Sequence, residues 1–152
     1  MKRAYLIASV LVGFLAPVLS VSHQEKAAHS AIVCCVDMRY GEDVALWQKV
    51  PKGYHWCWPG CAKEFIENEK QRELFITQLS GFRERGKTLD TIILADHTTC
   101  AWYGKEDSPE NHTACLRKAA QILQKDPRTA KFTVELYIHD FKTNQLEPVS
   151  LK

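Results

Sequence analysis

The chain has 152 residues, 45% apolar and 25% charged, the balance of one ordinary globular domain able to bury its own core. Lys and Arg number 20 against 18 Asp and Glu, and without Lys2 and Arg3 the count is even, which argues against a nucleic-acid or polybasic membrane partner. Six Cys are too few to build a disulfide miniprotein, so they are freer to bind metal or do chemistry.

Met1-Lys2-Arg3 precedes an apolar stretch with no charge before Glu25. Residues 1–22 read as a secretory signal, with Ser20-Val-Ser22 as the cleavage site. The alternative is an uncleaved membrane anchor through residues 4–21, weakened as a helix by Gly13 and Pro17. Residues 23–30 are a polar linker, and 31–152 form the folded domain. Either reading of the N-terminus places that domain outside the cytoplasm, periplasmic or secreted.

Ala31–Val36 is a short continuous apolar run, the pattern of a strand buried on both faces of a parallel sheet. Tyr54–Trp58 is a second strand, stopped by Pro59-Gly60. A helix is expected from Ala62 to about Arg85, where Phe65, Ile66, Phe75, Leu79 and Phe82 recur at helical spacing and Gly86 supplies the stop. Thr91–Ala95 is a third buried strand. Ser108-Pro109-Glu110 opens a helix whose apolar face is Cys115, Ala119, Ile122 and Leu123 and whose end is Pro127. Phe132–His139 alternates like a half-buried strand. A turn at Lys142–Gln145, with Asn144 at positive φ, returns the chain as a short antiparallel edge over Leu146–Val149. Strands alternating with helices predict an α/β fold with a mainly parallel sheet.

Two buried strands run into metal-ligand chemistry: Cys35-Val-Asp37-Met-Arg39 after the first, and His97-Thr-Thr-Cys100 after the third. Ligands bind at the carboxyl ends of parallel strands, so neighbouring first and third strands would bring Cys35, His97 and Cys100 together. Two thiolates and an imidazole with a fourth position open suit a catalytic zinc site, where the metal lowers the pKa of a water to roughly 7. Asp37 and Arg39 point the same way on an extended segment and can pair. Each motif alone is weak; their placement after two buried strands in this order is stronger.

C-x-D-x-R followed about 60 residues later by H-x-x-C resembles the β-class carbonic anhydrases. The likeness extends to Pro59-Gly60 before a long helix, to TIILADHTTC, and to VELYIHDFKTNQLEPV, and so spans roughly residues 31–150. It implies a sheet in the order 2-1-3-4-5 with the last strand antiparallel and helices flanking it. It implies one zinc held by Cys35, His97 and Cys100, with Asp37 and Arg39 as the catalytic dyad. The implied reaction is reversible hydration of CO2 to bicarbonate, in a homodimer or larger assembly. Asp96 and Ala101 stand where the family has glycines, and Trp56–Gly60 replaces its Arg-Asn-Ala-Gly stretch. Those departures bear on the substrate pocket more than on the metal. Two alternatives therefore stand beside the first reading: a hydrolase of a CO2-like molecule such as carbon disulfide, and a non-catalytic zinc-binding or thiol-redox protein.

The remaining conspicuous residues have plainer readings. Cys34 points away from Cys35 and reads as a buried small hydrophobe. Cys57 and Cys61 are spaced C-x3-C, wider than the C-x2-C redox motif, which leaves a local disulfide, a redox pair and free buried thiols all open. Cys115 reads as core, and His55, His112 and His139 as packing or surface residues. Asp96 lies on the opposite side of the chain from His97 and is expected to bond backbone amides rather than metal.

Overall fold

The structure, a computed structural model, describes residues 30–37, 53–85 and 89–152. The apolar N-terminal run, the linker up to residue 29, Arg39, Trp47 and the expected stop at Gly86 lie outside the described residues. Among the described residues no helix is long and apolar enough to cross a membrane.

Five strands form one sheet: β1 (Ser30–Cys35), β2 (Tyr54–Trp58), β3 (Thr91–His97), β4 (Thr133–Asp140) and β5 (Gln145–Pro148). Their order is β2-β1-β3-β4-β5. The first four are mutually parallel, and β5 pairs antiparallel with β4. The fold class is therefore the α/β architecture expected. Central position explains the apolar runs: β1 and β3 each have neighbours on both sides and are buried almost throughout. β4 departs from the half-buried alternation. Tyr137 and His139 are buried along with Leu136 and Ile138, because β5 and the β3 end cover that half of the strand.

Alternation along the strands divides the core in two. Ala31, Val33, Cys35, Ile92, Leu94, Val134, Leu136 and Ile138 face one side, with the helices. Ile32, Cys34, Ile93, Ala95 and Tyr137 face the other, where Leu146 packs against them.

The helix expected over 62–85 is two helices, α1 (Ala62–Glu67) and α2 (Glu69–Glu84). Asn68 breaks it. Its backbone is extended, and its side chain accepts from the Gln71 amide as the N-cap of α2. Asn68-Glu-Lys-Gln71 carries the elements of a capping box. Trp58, Phe65 and Phe75 form an aromatic cluster with centroids 5.7–6.0 Å apart, tying the end of β2 to both helices.

The last helix, α3 (Pro109–Lys125), starts as expected, with Ser108 accepting from the Asn111 amide and Pro109 in the first turn. Its buried stripe is His112, Leu116, Ala119, Ala120 and Leu123. That stripe is rotated from the expected one, so Cys115 and Ile122 are only partly buried. α3 packs over β3 and β4, and its N-terminus lies near the carboxyl ends of the parallel strands.

Candidate metal centre

Cys35 is the last residue of β1 and sits on the helix side of the sheet. The chain enters α1 through Pro59, Gly60 and Cys61, and the Gly60 amide donates to Cys35 Sγ at 3.4 Å. Gly60 has φ +70°, and a Cβ there would lie 2.2 Å from Trp102 Cδ1. The turn that aims this amide at the sulfur thus favours glycine for its backbone, and a side chain there would also displace the Trp102 ring.

His97 ends β3, fully buried, one strand away. Its Nδ1 faces the Thr98 carbonyl at 2.9 Å, which assigns the proton to Nδ1 and leaves Nε2 for the site. The Phe141 ring packs against the imidazole at 4.8 Å between centroids. Thr98 fixes the start of the following loop. Its amide donates to the His139 carbonyl, and its hydroxyl donates to Asp140 and accepts from the Phe141 amide. Thr99 then takes the left-handed conformation, φ 60°, and turns Cys100 back toward the sheet.

Cys35, His97 and Cys100 converge, their ligand atoms all within 4.8 Å of one another. All three residues are buried. Tetrahedral ligands about 2.3 Å from a zinc would stand ~3.7 Å apart. The two sulfurs are 4.0 Å apart, so the donor set fits that metal without rearrangement of the strands. The hydrogen bond from the Cys100 thiol first, with the neighbouring His97 ring and the Gly60 amide, brings the Cys35 thiol down to about 4 against the opposing effect of burial. Cys100, on the donor side of that bond and buried, is pushed up. Binding a metal as thiolates would release the protons these groups hold, so affinity should rise with pH.

Asp37 lies just past β1, partly exposed, with Oδ2 3.6 Å from His97 Nε2. Sequence reasoning put a carboxylate beside the ligands, and the structure places it there. Its expected partner Arg39 is outside the described residues.

Asp96 is fully buried and faces the helices, away from His97, as expected. It does bond a backbone amide, that of Ala62 at 3.5 Å, but this is its weakest contact. Tyr103 donates its hydroxyl to Asp96 Oδ2 at 2.6 Å, and His112 Nδ1 lies 3.4 Å from the same oxygen. His112 Nε2 reaches Asp107 Oδ1 at 2.8 Å, and that oxygen also accepts from the Cys100 amide at 3.1 Å. A chain of contacts thus runs from Asp96 through His112 and Asp107 to the backbone of a site cysteine. Burial opposes a charge on His112, yet the hydrogen bonds to Asp96 and Asp107 outweigh it and raise its pKa. From the sequence alone His112 reads as a packing or surface residue, and neither Tyr103 nor Asp107 stands out. The signal was present: a carboxylate inside an apolar strand needs partners, and a His on the buried stripe of a helix is a natural one.

Of the alternatives open for Cys57 and Cys61, the structure shows two free thiols, of which only Cys61 is buried. Cys61 is buried and donates to the Val33 carbonyl at 3.2 Å, whereas Cys57 is exposed and lies on the other face of the sheet. Cys57 Sγ instead lies 3.2 Å from Cys34 Sγ. Cys34 is buried as expected but is more than a hydrophobe.

No family model matches the sequence, and no curated protein does. The fold has solved counterparts. A carbonic anhydrase from Streptococcus mutans superposes with a TM-score of 0.59 at 16% identity, covering 82% of each chain. A carbonic anhydrase from Glaciozyma antarctica gives 0.54 at 16% identity, over 82% of this chain and 83% of its own. A β-carbonic anhydrase of Aspergillus fumigatus gives 0.50 at 13% identity, over 84% and 77%. The five-stranded sheet and its helices therefore have the β-carbonic anhydrase fold.

Proposed function

We propose that the chain is a zinc-dependent carbonic anhydrase that interconverts CO2 and bicarbonate, with Cys35, His97 and Cys100 as the metal ligands. The observation that carries this is the convergence of two thiols and an imidazole at the carboxyl ends of β1 and β3, on a fold shared with carbonic anhydrases. When bound, zinc supplies Lewis-acid activation of water near neutral pH. The chain's own residues do the rest. Thr98 holds the His97 ring so that Nε2 faces the site. The Gly60 amide stabilises the Cys35 thiolate. Asp37, beside Nε2, accepts a hydrogen bond from the attacking water and orients it. The role assigned to Arg39, two residues further along the sequence, is to hold that carboxylate away from the metal.

The test is stopped-flow CO2 hydration on zinc-loaded protein, with metal content measured by elemental analysis. One zinc per chain with hydration is expected, and His97→Ala should lose both metal and activity. Full zinc occupancy in that variant would remove His97 from the ligand set. One zinc with no CO2 hydration would overturn the reaction assignment; turnover of carbon disulfide would then identify a relative acting on a similar linear molecule.

A further inference from the structure

Cys34 and Cys57 occupy paired positions on neighbouring parallel strands, Cys34 on β1 opposite Cys57 on the edge strand β2. Their sulfurs are 3.2 Å apart. Cys34 faces the side of the sheet opposite to Cys35, among Ile32, Ile93 and Ala95, and its sulfur meets Cys57 rather than the Cys35–His97–Cys100 group. The two thiols differ in access. Cys34 has no exposed surface, while Cys57 is exposed on an edge strand that solvent can reach. One exposed thiol that can be attacked or attack, backed by one buried thiol within reach, is the arrangement of a nucleophilic and a resolving cysteine.

We propose that Cys34 and Cys57 form a second, redox-active site that exchanges two electrons with small disulfides of the glutathione type. The Cys57 thiolate attacks one sulfur of the small disulfide. The S–S bond breaks, one thiolate leaves, and Cys57 carries a mixed disulfide. The departing thiolate takes the Cys34 proton. Cys34 then attacks the Cys57 sulfur, displaces the second small thiol as its thiolate, and closes a Cys34–Cys57 disulfide. The two protein thiols are oxidised by two electrons, and one small disulfide is reduced to a thiol and a thiolate, the latter taking back from water the proton that Cys57 had released. Its access to solvent, beside a fully buried Cys34, favours Cys57 as the attacking group. The product would covalently join β1 to the sheet edge directly behind Cys35.

The experiment exposes the full zinc-loaded chain to glutathione disulfide, alkylates the remaining thiols under acid quench, and maps cross-links by fragmentation mass spectrometry. Loss of two thiols, a Cys34–Cys57 cross-link, unchanged zinc content and reversal by dithiothreitol are expected. Cys34→Ala should stop at one glutathione on Cys57, and Cys57→Ser should take up none. Retention of all six thiols by the wild-type chain, or a cross-link between Cys35 and Cys100 or between Cys57 and Cys61, would overturn the proposal. So would an intramolecular disulfide closing in Cys34→Ala. The wild-type map decides even if a variant folds poorly, and none of these outcomes depends on CO2 hydration.

Discussion

The two strand ends that supply the candidate ligands are built differently. At the end of β3, His97 and Cys100 sit in a loop held on both sides. Thr98 is bonded to the end of β4, and the Cys100 amide to Asp107, which leads through His112 to Asp96 and Tyr103. At the end of β1, Cys35 receives one amide from the Gly60 turn, and Asp37 follows at a partly exposed position. The β3 arm is thus shaped by buried polar contacts that exist without a metal, whereas the β1 arm carries the group proposed to meet the attacking water. Damage to the β3 arm should be read first in stability, and damage to the β1 arm first in activity.

The largest effect should follow Asp96→Ala. Removing this carboxylate leaves the Tyr103 hydroxyl and a buried His112 short of their partner, and breaking buried polar pairs one-sidedly costs about 3–5 kcal/mol. The urea midpoint should fall sharply, and zinc affinity with it, since metal binding is coupled to folding. Asp96→Gly would match the glycine of the carbonic anhydrase pattern and should be just as destabilising, because the Tyr103 and His112 contacts remain unmet. A variant as stable as wild type would erase the distinction between the arms. Asp37→Ala sharpens the other side. Zinc content and midpoint should be unchanged within error, while kcat/KM for CO2 falls about 100-fold, or ~2.7 kcal/mol of barrier. Unchanged turnover would remove Asp37 from the chemistry.

Gly60→Ala probes the weaker support of the β1 arm. An L-residue at φ +70° costs about 1–2 kcal/mol. The added methyl also meets the Trp102 ring, which is half exposed and can move aside. The variant should therefore fold with a modest loss of stability and a weaker hold on zinc, as the amide facing Cys35 is displaced. Competition with a chromogenic chelator would measure this. A zinc affinity equal to wild type would show that the Gly60 amide does not stabilise the thiolate.

Much of this was legible in the sequence because burial on both faces leaves a continuous apolar run, which marks β1 and β3, and because ligand-type residues stand at their ends. The 2-1-3-4-5 order is not written in periodicity; the motif resemblance supplied it. Asn68 was missed because the apolar spacing of Phe65 and Phe75 continues through the break, so the cap is visible only in the polar residues. The Asp96–His112–Asp107 chain was not read because its members lie on a strand, a helix and the loop before that helix, and only tertiary packing joins them. Cys34 and Cys57 are 22 residues of intervening chain apart. Their contact depends on the register of two parallel strands, which no local pattern encodes. What sequence shows well is the residue type each element offers; what it hides is which face meets which.

The smallest effect expected is a pH dependence confined to the β3 arm. The pKa of His112 is raised in the folded chain, its hydrogen bonds to two carboxylates outweighing burial, so the folded state binds the imidazole proton more tightly than the unfolded state does. The stability it contributes is fully present below the ordinary histidine pKa, roughly 6.5, and is lost as pH rises through the higher folded value. Asp107 moves the other way. Burial opposes its ionisation, but the bond to His112 and the Cys100 amide outweigh that and lower its pKa. Its contribution is present above the ordinary carboxylate pKa and is lost as pH falls through the lower folded value. The arm is therefore most stable in the window between those two ordinary values. The urea-midpoint advantage of the chelator-treated wild-type protein over His112→Leu should shrink from pH 6 toward pH 8, whatever slope the site thiols and His97 impose on both proteins. Asp37→Ala, which removes a carboxylate from beside His97, should leave that difference unchanged when introduced into both proteins. An equal slope in wild type and His112→Leu would place the titrating group elsewhere, and the carboxylates around His112 would then be holding a neutral ring.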